Sequence, residues 1–179
     1  MLRTMGYKVY DTDSEAKRLM TESDMIKKQL VSEITEDALL PDGSLNRAAI
    51  SREVFSDSEK LAALNGIVHQ AVRKDVERWI DAYSDEKLLF MECAIIHQSG
   101  LDKYMSAIIE VDAPEELRIS RVMRRNGVTR EQVIGRMQSQ AQEKELSADS
   151  VHLMVINDDV TPLLPQIEGI IGYLSKSLF

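Results

Sequence analysis

Hydrophobic positions along the chain follow two periods that alternate from one end to the other. Short apolar runs predict β-strands in "GYKVY", "KLLFME", "SAIIEVD" and "HLMVIND". Between these runs, apolar residues recur every three or four positions, which predicts helices. The helical segments are residues 14–20, 23–34, 46–55, 57–83, 114–126, 130–140 and a last helix that opens at 161. Strands that alternate with helices favour an α/β fold with a mostly parallel sheet.

Helix without any strand fills the stretch from about 21 to 83, so this stretch is interpreted as a helical insert mounted on the sheet. The remaining residues, 1–20 and 84–179, then form the core. Within that core, the helices at about 118–145 are set apart by their charge. The pattern thus predicts two parts in one compact α/β chain.

Local signals mark where several helices begin and end. Thr12 with Glu15 and Ser56 with Glu59 have the spacing of capping boxes, and Thr129 can cap the helix that follows it. Gly127 ends the helix before it, as glycine commonly does.

Composition and charge exclude several classes of protein. The 179 residues are 44% hydrophobic and carry a net charge of −8, so binding to nucleic acid or to an anionic membrane through the whole surface is not expected. No apolar run reaches the length of a membrane helix. The single cysteine, Cys93, rules out an internal disulfide and fits a reducing cytoplasm.

Two carboxylates, Asp11 and Asp13, follow the first predicted strand. In open α/β folds a ligand lies beyond the carboxyl ends of the parallel strands, so one of these acids can accept a proton or help to hold a metal ion. The alternative is that Thr12 or Asp13 only caps the next helix. The spacing alone leaves both interpretations open.

Arginines are concentrated in an otherwise acidic chain. Residues 118–136 contain six arginines, no lysine and one acid, Glu131. Arg118, Arg121 and Arg125 recur at helical spacing, so they share a face. Because a guanidinium matches phosphate oxygens bidentately, the pattern favours a polyphosphate site over a solvated face with a Glu115–Arg118 pair.

The histidines and glycines say less about function. The three histidines show no metal-ligand spacing, and only His69 lies on a face where a ligand role is plausible. None of the eight glycines is followed by lysine, so the phosphate-binding motif G-x-x-x-x-G-K-[ST] does not occur.

Several of these segments together resemble the dephospho-coenzyme A kinase family. "VYDTDSEAKRLM" resembles its D-x-D segment, and "LPDGSLNRAAISREVFSDSEKLAALNGIVH" resembles its helical substrate domain with D-G-x-L-x-R and L-N-x-x-x-H. "VDAPEELRISRVMRRNGVTREQVIGRMQSQ" resembles its lid, and "VIND" its final strand and turn. The resemblance spans nearly the whole chain and implies a P-loop kinase-like core with a helical insert and an arginine-rich lid.

The resemblance implies a role for particular residues. Asp13 would be the catalytic base that takes the proton from the ribose 3′-hydroxyl of dephospho-CoA, with ATP as donor and Mg²⁺ on the ATP oxygens. The nucleotide-binding residues would be Arg121, Arg125 and Asn157. The substrate-binding residues would be Asp11, Arg47 and His69. This assignment agrees with phosphoryl transfer, which depends mostly on positioning and charge stabilisation.

The chain departs from the family pattern at three places. Gln70 stands where a proline is usual, and Gln98 stands where the family has a carboxylate. The family also begins with a strand, the phosphate loop and a helix, and the sequence starts after these elements. We therefore expect Met1 to be an internal methionine of a longer reading frame, and activity to be impaired in the chain as it stands. The alternatives are an inactive remnant that binds CoA-like ligands and another P-loop nucleoside or nucleotide kinase.

Overall fold

The computed structural model describes residues 1–141 and 151–177, and the chain divides into two compact units, Met1–Ala94 and Ile95–Phe179. The predicted lid, about 118–145, therefore extends at its end beyond the described residues. No described helix combines the length and the apolar character that crossing a membrane requires.

The first unit contains two strands, β1 and β2, with four α-helices between them. A short 3₁₀ turn precedes the first strand. The elements are β1 (Lys8–Asp11), α1 (Thr12–Glu22), α2 (Asp24–Glu33), α3 (Arg47–Ser56), α4 (Ser58–Ala82) and β2 (Leu89–Glu92). They confirm the predicted strands at both ends and the long helix predicted over 57–83.

Strands β1 and β2 pair in parallel, with Tyr10 opposite Met91 and Asp11 opposite Glu92. Tyr10 is buried beneath α4, where its ring packs edge-on against Trp79 at 5.4 Å between centroids. Both strands therefore end at the same edge, where Asp11 is the last residue of β1 and Asp13 follows in α1.

Apolar residues of α2 and α4 form the centre of the helical part. Leu30 and Val76 are fully buried, and Ile26 and Ile67 are nearly so. Each such side chain contributes about 1.5–3 kcal/mol when it leaves water, which explains why these helices form a compact bundle. On α2 the buried residues Ile26 and Leu30 are four positions apart, as a helix with one buried face requires.

Two helices of this unit begin one position away from the predicted cap. Asp11 caps α1, because its side chain accepts from the backbone N–H of Ser14, so the predicted caps Thr12 and Asp13 are wrong. Asp57 caps α4 in the same way, in place of Ser56. The physical reason is the same in both cases: aspartate accepts the free N–H groups of the first turn as well as serine or threonine does.

The second unit also contains a parallel pair of strands. The elements are β3 (Ala107–Asp112), α5 (Glu115–Asn126), α6 (Arg130–Ala141), β4 (Val151–Ile156) and α7 (Leu163–Ser177). Asp112 lies opposite Ile156 at the carboxyl ends of β3 and β4. Val111, near the carboxyl end of β3, is 62% exposed.

The junction between α5 and α6 agrees with its sequence signals. Gly127 ends α5 with φ of 64°, a backbone conformation that glycine adopts without steric cost. Thr129 and Gln132 then bond reciprocally: the Thr129 N–H donates to the Gln132 side chain at 3.0 Å, and the Gln132 N–H donates to the Thr129 hydroxyl at 3.4 Å. Thr129 therefore caps α6 as predicted, and Gln132 completes a capping box that the sequence analysis did not indicate.

Candidate active site

At the carboxyl ends of β1 and β2, the two early acids have different surroundings. Asp11 accepts from both the backbone N–H and the hydroxyl of Ser14, at 3.1 and 2.9 Å, and Arg3 lies 3.9 Å away. These hydrogen bonds to Ser14, followed by the charge of Arg3, hold the pKa of Asp11 below its ordinary value. Asp11 is therefore an ionised carboxylate already used by its own helix.

Asp13 lies in the first turn of α1 and is exposed. Within the part of the chain that the structure describes, its side chain makes no hydrogen bond or ion pair. Its neighbour Thr12 is buried and donates to the backbone carbonyl of Glu92 at 2.9 Å, which fixes the first turn of α1 against the end of β2. The carboxylate of Asp13 is thus held on a fixed turn and open to a ligand.

A cluster of polar side chains around the half-buried Asp75 fixes α1 and β1 against α4. Asp75, on α4, accepts from the Tyr10 hydroxyl at 2.8 Å and from Arg18 at 3.0 Å. Arg78 donates to the other carboxylate oxygen at 3.1 Å. Burial and the neighbouring carboxylate of Asp75 raise the pKa of Tyr10, so its hydroxyl stays a hydrogen-bond donor. Sequence reasoning missed this cluster, because Tyr10 and Asp75 are 65 positions apart.

The two substrate-binding candidates of the helical part lie on neighbouring helices. Arg47 is the first residue of α3 and is exposed, and His69 is half-buried on α4. Burial, together with the charge of Arg73, lowers the pKa of His69, so the imidazole is neutral at neutral pH. Among the described residues, neither side chain is hydrogen-bonded to Asp11 or Asp13.

In the second unit the structure brings two predicted residues together at the ends of β3 and β4. The Arg121 guanidinium on α5 donates to the backbone carbonyl of Asn157 at 3.0 Å and to its side-chain oxygen at 3.2 Å. Arg121 also forms an ion pair with Asp159, a residue that sequence reasoning did not single out. The only available signal was that Asp159 directly follows the "VIND" segment.

Arg121 also lines a cleft of about 330 Å³ between α5 and α6. The other lining residues are Arg118, Val122, Arg125, Val133 and Met137. Arg118 has no ion pair among the described residues, so the alternative pair with Glu115 is wrong. The cleft combines three guanidinium groups with apolar side chains, which suits an anionic ligand that also has an apolar part.

A bidentate ion pair holds the two helices around this cleft. Arg130, at the start of α6, donates to both carboxylate oxygens of Glu116 on α5, at 2.8 and 2.6 Å. These hydrogen bonds lower the pKa of Glu116 and raise that of Arg130, so both groups stay charged. Glu116 on α5 is thus paired with Arg130, and Arg130 does not line the cleft.

The turn after β4 is fixed by two side chains that the sequence did not indicate. Asp158 accepts from the N–H groups of Val160 and Thr161, at 3.0 and 2.6 Å, and these bonds lower its pKa. Gln166 on α7 bonds to both backbone groups of Ile156, at 2.9 and 3.0 Å. The position of Asn157 is therefore set from both sides.

Comparison with known proteins finds similar sequences over most of the chain. A family model described as dephospho-CoA kinase matches residues 1–161. The dephospho-CoA kinase of Porphyromonas gingivalis is 36% identical over 171 residues, which are 96% of this chain and 84% of the relative. That of Bacteroides fragilis is 31% identical over 178 residues, 99% of this chain and 86% of the relative.

The chain belongs to the dephospho-CoA kinase family. This confirms the predicted family, the fold class and the function as a phosphotransferase of this family with ATP as donor.

Solved structures support the fold of this dephospho-CoA kinase family member. A Thermus thermophilus protein described as TT1252 superposes with a TM-score of 0.73 at 32% identity, covering 98% of this chain and 87% of that protein. The dephospho-CoA kinase of Campylobacter jejuni superposes with a TM-score of 0.67, covering 99% and 90%. At 20% identity this second likeness shows the fold alone.

The metal expected for a family that uses ATP is Mg²⁺, which takes oxygen ligands and is commonly bound by one or two carboxylates together with substrate phosphates. The described residues contain no group of three histidine, cysteine or carboxylate side chains placed to hold a metal ion. Asp13, at the end of the parallel strands, offers an exposed carboxylate with no partner among them. The residues therefore fit a metal ion held mainly by nucleotide oxygens.

Proposed function

We propose that Asp13 is the general base of this dephospho-CoA kinase and takes the proton from the ribose 3′-hydroxyl of dephospho-CoA. The observation that supports this is the difference between the two acids: Asp11 is bonded to Ser14, whereas Asp13 is exposed and has no partner among the described residues. A base must have a lone pair free to reach the hydroxyl proton. Asp13 meets this requirement, and its turn is held by Thr12.

We further propose that Arg121, Arg125 and Asn157, all in the second unit, bind the nucleotide. Arg121 and Arg125 line one cleft, and planar guanidinium groups match phosphate oxygens. Asn157 is held beside Arg121 by two hydrogen bonds. The guanidinium charges stabilise the negative charge spread over the transferring phosphoryl group. Bound Mg²⁺ would neutralise further charge on the ATP oxygens.

The helical stretch 21–83 is proposed as the domain that binds dephospho-CoA, and residues 1–20 and 84–179 as the nucleotide-kinase core with its lid at about 118–145. Arg47 supplies an exposed positive charge for the phosphates of the substrate. His69 supplies a neutral imidazole for a hydrogen bond, because burial lowers its pKa. Asp11 contributes on the substrate side by fixing the start of α1, and thereby the position of Asp13.

We also propose that the enzyme works in the cytoplasm on small molecules and does not bind nucleic acid. A net charge of −8 disfavours binding to polyanions through the surface, and the single cysteine fits a reducing compartment. Local arginines therefore serve a small anionic ligand.

The test is a kinase assay with ATP and dephospho-CoA on the purified protein and on a form that includes any in-frame codons upstream of Met1. The product is identified by mass spectrometry as dephospho-CoA plus one phosphate, and its position on the 3′-oxygen by fragmentation. ATP-dependent formation of CoA is expected. CoA-type ligand binding without any phosphate transfer in either form would contradict the proposal, and so would phosphorylation of simple nucleosides in preference to dephospho-CoA.

A further inference from the structure

The positive charge of Arg121 already has a carboxylate partner within the chain. Its Nη2 group is shared between the Asn157 side-chain oxygen, at 3.2 Å, and a short ion pair with Asp159. Asn157 is neutral, so Asp159 is the group that balances the guanidinium charge. Arg121 is thus occupied by an internal anion at the position where the proposed function needs it to bind phosphate.

The backbone holds Asp159 in this place. Asp159 has φ of 66°, and no other non-glycine residue among those described has a positive φ. The preceding residue, Asp158, closes the turn by accepting from the N–H groups of Val160 and Thr161. Because aspartate and asparagine tolerate this backbone region better than most residues, the turn presents Asp159 at little cost.

The two partners differ in how firmly they are held. The Arg121 side chain is 27% exposed and has the two bonds to Asn157 as further anchors, whereas the Asp159 side chain is 66% exposed. Among the described residues, the Asp159 side chain bonds to no other partner. An incoming anion can therefore displace the carboxylate while the guanidinium stays in place.

We propose that Asp159 is an affinity-determining residue of the nucleotide site: its carboxylate occupies Arg121 and competes with the phosphate groups of the nucleotide. The inference rests on the proposed function in one respect, that Arg121 binds polyphosphate. The carboxylate weakens binding in two ways. It must give up its own ion pair, and it then remains as a negative charge close to the bound phosphates.

The test is calorimetric titration of the full chain with inorganic tripolyphosphate at low ionic strength, where exposed charges are least screened. Asp159→Asn removes the charge, keeps the side-chain oxygen and suits the positive φ. An exposed ion pair is worth about 0.2–1 kcal/mol, so this variant should bind tripolyphosphate roughly 1.5- to 5-fold more tightly than wild type. Glu168→Gln is the matched control, because it removes one exposed negative charge from α7 and should leave the affinity at the wild-type value.

A second pair of titrations shows whether the gain passes through Arg121. In an Arg121→Ala background, the further change Asp159→Asn should give no gain. The inference is overturned if Asp159→Asn gives an equal gain in affinity in that background. It is also overturned if wild type and Asp159→Asn bind tripolyphosphate with equal affinity. Neither result contradicts the proposed kinase function. If neither wild type nor Asp159→Asn binds tripolyphosphate, the inference fails together with the role of Arg121, and the assay of CoA formation then judges the proposed function separately.

Discussion

Arg121 donates two hydrogen bonds to Asn157, one to the backbone carbonyl at 3.0 Å and one to the side chain at 3.2 Å, across 36 positions of sequence. The family resemblance implies that both residues bind the nucleotide, although they come from two different segments of the chain. Because the guanidinium is held by the turn after β4, we expect a change at either residue to shift the other. Arg121 is thus a fixed donor rather than a free surface charge.

Arg121→Lys should weaken ATP binding although it keeps the charge. Lysine cannot reproduce the planar fork that reaches Asn157 and a phosphate together, and charge-assisted hydrogen bonds of this kind are worth about 1.5–3 kcal/mol, or roughly tenfold or more in affinity. The measurement is ATP titration calorimetry. Arg124→Lys, on the same helix but outside the cleft lining, is the control and should bind as wild type does. An unchanged affinity in Arg121→Lys contradicts the assignment.

Asp13→Asn should lower kcat for phosphate transfer to dephospho-CoA by about 10²–10⁴, the usual contribution of a general base. Its melting temperature should stay at the wild-type value, since the carboxylate makes no described contact. Asp24→Asn is the matched control, because Asp24 is an exposed acid in the first turn of α2. A wild-type rate in Asp13→Asn would remove Asp13 from the proposed role.

Asp11→Ala should reduce the free energy of unfolding by about 1 kcal/mol, because it removes the cap of α1. Asp11→Asn keeps an acceptor for the Ser14 N–H and should lose much less. Urea unfolding followed by circular dichroism compares the two variants. Equal losses in both would indicate that the charge of Asp11, rather than its hydrogen bond, stabilises the helix.

Asp75→Ala should reduce the free energy of unfolding by about 2 kcal/mol or more, since it leaves the buried Tyr10 hydroxyl without its described acceptor. Asp81→Ala, at an exposed position of the same helix, should have little effect. A double-mutant cycle gives the sharper measurement: adding Tyr10→Phe to Asp75→Ala should cost less than the same change costs in wild type. Strictly additive losses argue against the hydrogen bond.

His69 should make the protein less stable in mild acid. Its folded pKa lies below the ordinary value of about 6.5, so the unfolded chain binds the proton more readily. The contribution of the neutral imidazole is present above the unfolded pKa and is lost as pH falls through that value toward the folded one. His69→Gln should therefore lose less stability than wild type between pH 7 and pH 5 in urea unfolding. Parallel curves for the two proteins would exclude this cause.

The sequence was most informative where the determining residues are close along the chain. The end of α5 at Gly127 and the cap of α6 at Thr129 depend on neighbours within three positions, and both were predicted correctly. The caps at Asp11 and Asp57 were missed by one position, since several adjacent polar side chains can serve the same N–H groups.

Contacts between distant segments could not be predicted from spacing. The acceptor role of Asp75 depends on how α4 packs against β1, and the ion pair of Asp159 with Arg121 depends on a turn that follows β4. The resemblance supplied the candidate residues, Asp13 and Arg121 among them. It did not indicate which of the two early acids is bonded within its own helix, because that depends on side-chain geometry.

The side chain of Gln166 bonds to the backbone of β4 as a neighbouring strand would. The N–H and the carbonyl of Ile156 point away from β3 and bond to the side-chain amide of Gln166. The N–H of the next residue, Asn157, points the other way and donates to the backbone carbonyl of Asp112 on β3 at 2.7 Å. An open strand edge can recruit another chain and start aggregation. At its carboxyl end, β4 has both outward-facing backbone groups already satisfied, so this part of the edge is closed to a foreign strand.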